Sequence, residues 1–429
     1  MLKTGTSEKL ITPETGIELC GYLARVQPSV SKYDNLYARV LYMENRGTKI
    51  IWIHCDLIGF ANDIAARIRR AVAEKTAMKI TDVFLSATHT HAGPATVRLR
   101  KCGEIDPEYV DFLERSIIEG AKAAVSNAET VTLSFFETTV ENIAVDRRRP
   151  SKNSHVDNKL PVLVFRKDDG SFKAVIANYG MHNVGLSSVN RSISADIAGF
   201  AAEFAASGIP GKPTVFLTNG GCGNVNPATM TDDYSGVEKA GTILGNAVIN
   251  SISNLKPSRK DGIESRFSEF ELPLDALSDA QLEDIMELRR QYCRTRKDSY
   301  ETSRFQRAMS LWYEETKNLL AGGKAPCSIT AYIHVLQIGP VIFAGINAEV
   351  FSKMAGQLRQ ATGIKPLYVV GYADGCIGYL APREIYSEGG YEVSEAYKYY
   401  GYFSLAPGGF ELVRDKIQTV LCPGKVNFS

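Results

Sequence analysis

The sequence predicts an α/β protein in which a mixed β-sheet is covered by helices. Apolar, partly β-branched runs at 49–60 and 82–89 predict strands, and residues 63–76 between them have the apolar spacing of an amphipathic helix. Residues 107–128 predict a second long helix. Strands and helices that alternate in this order are typical of a sheet with helical layers.

The middle of the chain predicts further strands and then a helical insertion. Residues 161–180 predict a β-hairpin that turns at Asp169-Gly170, and residues 214–221 predict a strand that runs into a glycine-rich loop. Residues 275–322 are dense in charge and have helical periodicity, unlike their surroundings. They therefore predict a helical hairpin inserted between strands.

The sheet resumes after this insertion. Residues 328–346 predict two strands joined by a turn at Gly339-Pro340, followed by a helix at 350–362 and a strand at 366–372. No repeat, low-complexity tract or linker divides the sequence. We therefore expect a single domain over residues 1–429.

Composition restricts the classes of function. The 429 residues have a formal net charge of +1, which gives no strong electrostatic case for binding nucleic acid or an anionic membrane. No apolar run reaches the roughly 18 residues needed to span a bilayer, and the first residues do not resemble a signal peptide. We expect a cytoplasmic protein without stable membrane association that acts on a small molecule, and a homo-oligomer is compatible with the sequence.

The eight cysteines are scattered and have no CxxC spacing, which argues against a zinc knuckle or a secreted disulfide framework. Most of them are expected to be buried thiols. Cys222 and Cys376 are the two that lie beside the motifs described below. The sequence leaves open whether either thiol contributes to a site.

Three of the six histidines follow predicted strands. His89 and His91 lie in SATHTHAGPA, where strand alternation would point both side chains to the same side, and His182 lies in ANYGMHNVG. Zinc favours imidazole and carboxylate ligands, and a catalytic site leaves one position open. A single strand-end histidine is more often structural. His54 and His334, within apolar strand patterns, are interpreted as structural.

Glu349 is the candidate carboxylate. It follows the strand-like VIFAGI and is expected to open a helix, whose positive end favours a negative side chain. Helix capping explains this position equally well.

Two loops offer candidate substrate contacts. The run TNGGCGNVNPA (218–228) is rich in glycine and asparagine, so its amides can approach a ligand closely, and Asn224 and Asn226 are candidates there. It lacks the ending of a phosphate loop. The run at 371–392 concentrates tyrosines together with Arg383 and Glu384. Tyrosine-rich loops are often packed rims, and we interpret this one as functional.

In this order, the motifs resemble the neutral ceramidases and the wider group of proteins that share their catalytic domain. The likeness extends from KLITPETGIELCGY to GYFSLAPGGFELV, nearly the whole chain. Its anchors are ATHTHAGP, GMHN followed by SISADIAG, NGGCGNVNP, INAEVF and IGYLAPREIYSEGGYE. The resemblance implies the neutral ceramidase catalytic fold, with the helical hairpin as an insertion, and a hydrolase that holds one Zn²⁺ per chain.

The resemblance also assigns roles residue by residue. It implies metal ligands at His89, His182, Glu349 and Tyr379. It implies catalytic roles for His91 as proton donor or hydrogen-bond partner, Arg147 as a substrate contact and Tyr391 near the scissile bond. Zinc bound in this way would polarise a carbonyl and bring the pKa of its water near 7.

Two departures from the family pattern limit what can be said about the substrate. Asn226 stands where ceramidases have the serine of GDVSP, and an asparagine cannot act as an acyl nucleophile. The C-terminal β-sandwich domain of true ceramidases is not expected here. We predict hydrolysis of an amide, or of an ester or lactone, in a small and possibly sugar-derived substrate.

Three alternatives stay open. The first is a metal-assisted lyase or isomerase that acts through an enolate. The second is a true ceramidase acting on an N-acyl sphingoid lipid, and the third is a metal-free binding or structural protein.

Overall fold

The computed structural model describes residues 1–149, 155–294 and 300–422. Its strands are, in chain order, Lys3–Leu10 (β1), Ser31–Lys32 (β2), Tyr37–Asn45 (β3), Thr48–Cys55 (β4), Val83–Ala87 (β5), Glu129–Thr139 (β6), Ala144–Asp146 (β7), Lys159–Lys167 (β8), Phe172–Tyr179 (β9), Ser192–Ile193 (β10), Thr214–Asn219 (β11), Val225–Pro227 (β12), Lys256–Pro257 (β13), Ile263–Asp275 (β14), Ser328–Ile338 (β15), Val341–Ile346 (β16), Glu349–Val350 (β17), Leu367–Val370 (β18), Tyr379–Leu380 (β19) and Ser404–Leu405 (β20).

The helices are interspersed among these strands. They are Asn62–Thr76 (α1), Pro107–Ser126 (α2), Asp196–Gly208 (α3), Ser235–Ile252 (α4), Asp279–Arg294 (α5), Tyr300–Ala321 (α6), Lys353–Thr362 (α7), Arg383–Glu388 (α8), Tyr391–Ser394 (α9), Tyr397–Tyr400 (α10) and Gly409–Leu421 (α11). The predicted α/β class is confirmed. In the described part of the chain, no helix combines the length and the apolar composition needed to cross a membrane.

The strands form two large mixed sheets instead of the one sheet that we predicted. The first has the order β11-β9-β8-β6-β1-β3-β4-β5, with β13 pairing with β6, and its β4/β5 and β9/β11 pairs are parallel. The second has the order β18-β16-β15-β14-β20, with a parallel β16/β18 pair. Periodicity shows which face of a strand is buried, but it cannot show which sheet the strand joins.

The two sheets pack face to face, and helices cover their outer faces. In β4, Trp52 contacts the core between the sheets, whereas its neighbours Ile51 and Ile53 contact the core beneath α1 and α2. In β16, Phe343 points to the inter-sheet core and Ala344 to the core beneath α7 and α11. Because both faces of these strands are buried, their sequences are continuous apolar runs.

Local signals explain where the helices begin and end. Asp106 caps α2, since its carboxylate accepts from the backbone N–H groups of Glu108 at 2.9 Å and Tyr109 at 3.3 Å, and Pro107 occupies the first turn. The predicted helical hairpin corresponds to α5 and α6, which pack through Leu282, Met286, Trp312 and Tyr313. The helix predicted at 350–362 begins at Lys353, because Glu349 and Val350 pair with β19.

We expect Trp52→Ala to lower the free energy of unfolding by roughly 3–5 kcal/mol, the usual cost of deleting a buried aromatic side chain. Trp52 is fully buried and packs edge-on against Phe84 and Phe343, with ring centroids 5.0 and 5.2 Å away. Denaturant unfolding monitored by circular dichroism measures the change. Val189→Ala, at a side chain that is 64% exposed, is the control and should change stability by less than about 0.5 kcal/mol.

Candidate metal centre and active site

Three histidines from two distant segments meet at one point. Among the described residues, His89, His91 and His182 form a group whose potential ligand atoms all lie within 4.8 Å of one another. His89 and His91 follow β5, and His182 follows β9, so each lies beyond the C-terminal end of a strand of the first sheet. The ends of such strands are where α/β sheets usually hold their ligands.

His89 reaches this point through an unusual backbone conformation. The strand β5 ends at Ala87, and His89 has φ +66°, which is rare for a residue other than glycine. Its N–H donates to the Leu57 carbonyl at 2.8 Å, and its Nδ1 lies 2.6 Å from the Ile58 carbonyl. The expected strand alternation therefore does not apply here. The two side chains nevertheless point to the same side, as predicted, because Nε2 of His89 and Nε2 of His91 are 3.1 Å apart.

His182 and Glu349 complete the cluster. His182 Nδ1 lies 2.8 Å from the Cys222 carbonyl, and its Nε2 lies 3.1 Å from Glu349 Oε2. The same carboxylate oxygen is 3.5 Å from His89 Nε2. Glu349 lies in β17 and is not at the start of a helix, so the dipole argument for this residue is wrong. Its N–H donates to the Gly378 carbonyl at 2.9 Å, which fixes the carboxylate beside the histidines.

The loops that carry these histidines are tied to each other. Asn183 donates through Nδ2 to the Thr88 carbonyl and accepts through Oδ1 from the Ala198 N–H at the start of α3. Asp196, which is fully buried, accepts from the N–H of Gly185 at 2.8 Å. The SISADIAG segment thus holds the His182 loop against the HTH loop.

Burial and the neighbouring polar groups together set the charge of the cluster. It lowers the pKa of His89 to about 3 and holds that of His91 well below its usual range. Burial also opposes a charge on Glu349, but the hydrogen bond from His182 and the nearby His89 outweigh it and lower the carboxyl pKa to about 2. For His182, the neighbouring Cys222 and Glu349 outweigh burial and raise the pKa to about 9. The protein alone therefore favours a carboxylate paired with one imidazolium.

Two tyrosines that sequence reasoning missed hold the carboxylate. Tyr400 donates to Glu349 Oε1 at 2.5 Å, and Tyr372 donates to Oε2 at 3.4 Å. The Tyr372 ring also stacks on His89, with centroids 4.0 Å apart, and its hydroxyl lies 3.1 Å from Cys222 Sγ. The tyrosine-rich composition, which continues to residue 402, was the available signal, but composition does not show which hydroxyl reaches the site.

Tyr379 and Tyr391 lie on one side of the cluster. Tyr379 pairs with Glu349 in the β17/β19 register, so both side chains leave the same face. Its ring stacks on His182 at 6.5 Å between centroids and meets the Tyr391 ring at 5.8 Å. Tyr391 is 48% exposed, so its ring borders solvent while Tyr379 lies deeper.

Arg147 joins the two tyrosines to the glycine-rich loop. Its guanidinium lies over the rings of Tyr379 at 5.4 Å and Tyr391 at 5.8 Å. It donates to Glu392 Oε1 at 2.8 Å, to the Gly223 carbonyl at 2.8 Å and to Asn226 Oδ1 at 3.4 Å. Arg147 and Asn226 are therefore together beside the cluster.

The remaining candidates have other surroundings. Asn224 is buried, and its Oδ1 accepts from the Ser352 N–H at 2.9 Å, so it fastens the loop to the start of α7. Arg383 is exposed at the start of α8 and packs over Gly408, and the structure does not bring it to the histidines. The Cys376 thiol is buried, which raises its pKa to about 12.

The histidines interpreted as structural lie in hydrogen-bonded core positions. His54 contacts Ser86 Oγ at 2.9 Å and the Leu217 carbonyl at 3.1 Å. His334 Nδ1 contacts Asp374 Oδ2 at 2.6 Å.

The donor set fits a divalent metal ion. Backbone carbonyls engage Nδ1 of both His89 and His182, which leaves each Nε2 directed toward the cluster, as in protein metal sites. Imidazole nitrogens with one carboxylate are ligands that zinc accepts. Metal binding would displace the proton that His182 shares with Glu349.

A cavity of about 450 Å³ adjoins the cluster and is lined by Tyr379 and Tyr400. Most of its other walls are apolar or aromatic, including Leu274, Ile329, Tyr386, Tyr397 and Phe403. Its size and composition are those of a small-molecule site.

Comparisons with known proteins agree with this geometry. Residues 3–215 match the family described as neutral/alkaline non-lysosomal ceramidase, N-terminal. The neutral ceramidase from Pseudomonas aeruginosa is 17% identical, with a TM-score of 0.75 over 97% of this chain and 73% of that one. A ceramidase complexed with C2 is 16% identical, with a TM-score of 0.75 over 96% of this chain and 74% of that one. Residues 3–215 therefore match the neutral/alkaline ceramidase family, and the chain has the fold of the neutral ceramidases.

Proposed function

We propose that the protein is a zinc-dependent hydrolase that cleaves an amide bond, or a related ester or lactone bond. The observation that carries this proposal is the convergence of His89, His91 and His182 on the Glu349 carboxylate, beside Arg147. His89, His182, Glu349 and Tyr379 would hold the metal. When bound, zinc supplies a Lewis acid and a water whose pKa is near 7.

The surrounding side chains would act on the substrate. Arg147 and Tyr391 lie together, and they would donate hydrogen bonds to the substrate carbonyl oxygen as negative charge develops on it. His91, with Nε2 directed into the cluster, is kept neutral by its low pKa, so it would first accept a proton from the attacking water and then pass that proton to the leaving group. Asn226 would orient Arg147 through their contact, because an amide cannot serve as the nucleophile.

The adjoining cavity supports an apolar group on the substrate. Its largely apolar and aromatic walls favour an acylated metabolite, because an acyl group would be buried against them. The same observation favours the second candidate, an N-acyl lipid such as ceramide. Hydrolysis of N-acyl amines of increasing chain length discriminates the two: a rate that peaks at short chains supports a small substrate, and a rate that rises to long chains supports the lipid.

Labelled water tests hydrolysis directly. With purified protein and H₂¹⁸O, we expect one ¹⁸O atom in the carboxylic acid product, detected by mass spectrometry. Product without label would instead support the lyase or isomerase alternative.

Elemental analysis of freshly purified protein should show about one zinc per chain, and absence of metal would support a binding protein. The cytoplasmic location and the oligomeric state remain predictions.

A further inference from the structure

We propose that the helical hairpin, α5 and α6, braces the metal centre, and that Tyr400 is the positioning residue through which it acts. This inference rests on the proposed function. Glu349 presents Oε2 to His182 and His89, whereas Oε1 accepts the Tyr400 hydroxyl at 2.5 Å. A carboxylate without this hydrogen bond could rotate about its terminal torsion, which is broad. Tyr400 therefore fixes the rotation of the carboxylate plane, which keeps one of its two equivalent oxygens directed toward the metal position.

The Tyr400 ring occupies space that a glycine leaves open just before β19. It ends the short helix α10, and its ring packs over Gly378, where a Cβ would lie 3.3 Å from the ring. Gly378 has φ +93°, and its carbonyl accepts from the Glu349 N–H at 2.9 Å. The residue that anchors the Glu349 backbone thus also makes room for the ring that anchors its side chain.

The helix α6 contacts α10 on one side. Trp312 is fully buried, its ring lies edge-on to Tyr397 at 5.9 Å, and its Nε1 donates to the Tyr402 carbonyl at 2.9 Å. The Lys398 ammonium lies 5.5 Å from the centre of the indole ring. These contacts bracket Tyr400 in the sequence, so Trp312 restricts the segment that carries the hydroxyl.

Arg100 makes a second link between α6 and the same segment. It donates to Glu315 of α6, with Nη2 2.5 Å from Oε2. Its Nη1 donates to the carbonyls of Lys398 at 3.0 Å and Gly401 at 2.5 Å. One forked guanidinium therefore ties the hairpin to the backbone on both sides of Tyr400, a geometry that lysine could not reproduce.

The test is zinc affinity, measured on metal-stripped protein by competition with a chromophoric chelator. Tyr400→Phe should weaken zinc binding roughly 10- to 100-fold, the usual cost of removing an outer partner of a metal ligand. The unfolding midpoint of the metal-free protein reports any purely structural effect. Tyr399→Phe is the matched control, because it removes the same atom one residue earlier and, within the described residues, that hydroxyl forms no hydrogen bond. It should bind zinc like the wild type.

Trp312→Phe and Arg100→Lys test the part played by the hairpin. Each should weaken zinc binding, and adding Tyr400→Phe to either should give less than the sum of the separate losses, because the pairs act through one hydrogen bond. Wild-type affinity in Tyr400→Phe, or fully additive losses, would overturn the inference and leave the proposed function intact. A wild-type protein that binds no zinc would overturn both.

Discussion

His182→Ala is expected to purify without zinc and to lose hydrolytic activity by at least about 10²–10³-fold, the typical cost of removing one electrostatic contributor in an active site. His182 Nε2 lies 3.1 Å from Glu349 Oε2, and the imidazole is buried. Alanine offers no ligand atom and removes the contact between His182 and Glu349 Oε2. Zinc content by elemental analysis and kcat/KM on a short N-acyl amine measure both effects.

His155→Ala is the matched control for metal content. His155 also lies in a loop, but its Nδ1 contacts Ser352 Oγ at 3.2 Å and is not part of the histidine group. This variant should keep wild-type zinc. If His182→Ala also kept a full equivalent of zinc, the metal centre would not be where we place it.

His91→Asn should separate catalysis from metal binding. We expect the variant to retain zinc while kcat falls by roughly 10²–10⁴-fold, the range for loss of a general acid or base. His91 is positioned by packing, because Gly21 leaves room for its ring and the Tyr22 ring meets it edge-on at 5.0 Å. Its Nδ1 is buried and has no hydrogen-bond partner among the described residues. Asparagine keeps polarity but cannot shuttle a proton near neutral pH.

The metal content of His91→Asn decides between two ligand sets. His91 Nε2 is 3.1 Å from His89 Nε2, close enough that three imidazoles could share one ion. Loss of zinc from His91→Asn would make His91 a ligand and would contradict its role as proton donor. Retained zinc with an unchanged kcat would show that His91 takes no part in catalysis.

The secondary structure could largely be predicted because its signals are local. The helix expected at 63–76 is α1, Asn62–Thr76, and the helix expected at 107–128 is α2, Pro107–Ser126. The helical hairpin was predicted by charge density and period alone. By contrast, the division of the strands between two sheets was not predicted, since a strand buried on both faces reads as one apolar run whichever sheet it joins.

By itself, the sequence determined the α/β class and the residues that form the cluster: His89, His91, His182 and Glu349 were all identified from motifs. Only the tertiary structure decided how they meet. The left-handed conformation of His89 and the pairing of Glu349 with β19 depend on contacts between segments that are distant in the chain. The hydroxyl of Tyr400 reaches Glu349 across 51 residues. Such contacts carry no local periodicity, so no pattern within the sequence could reveal them.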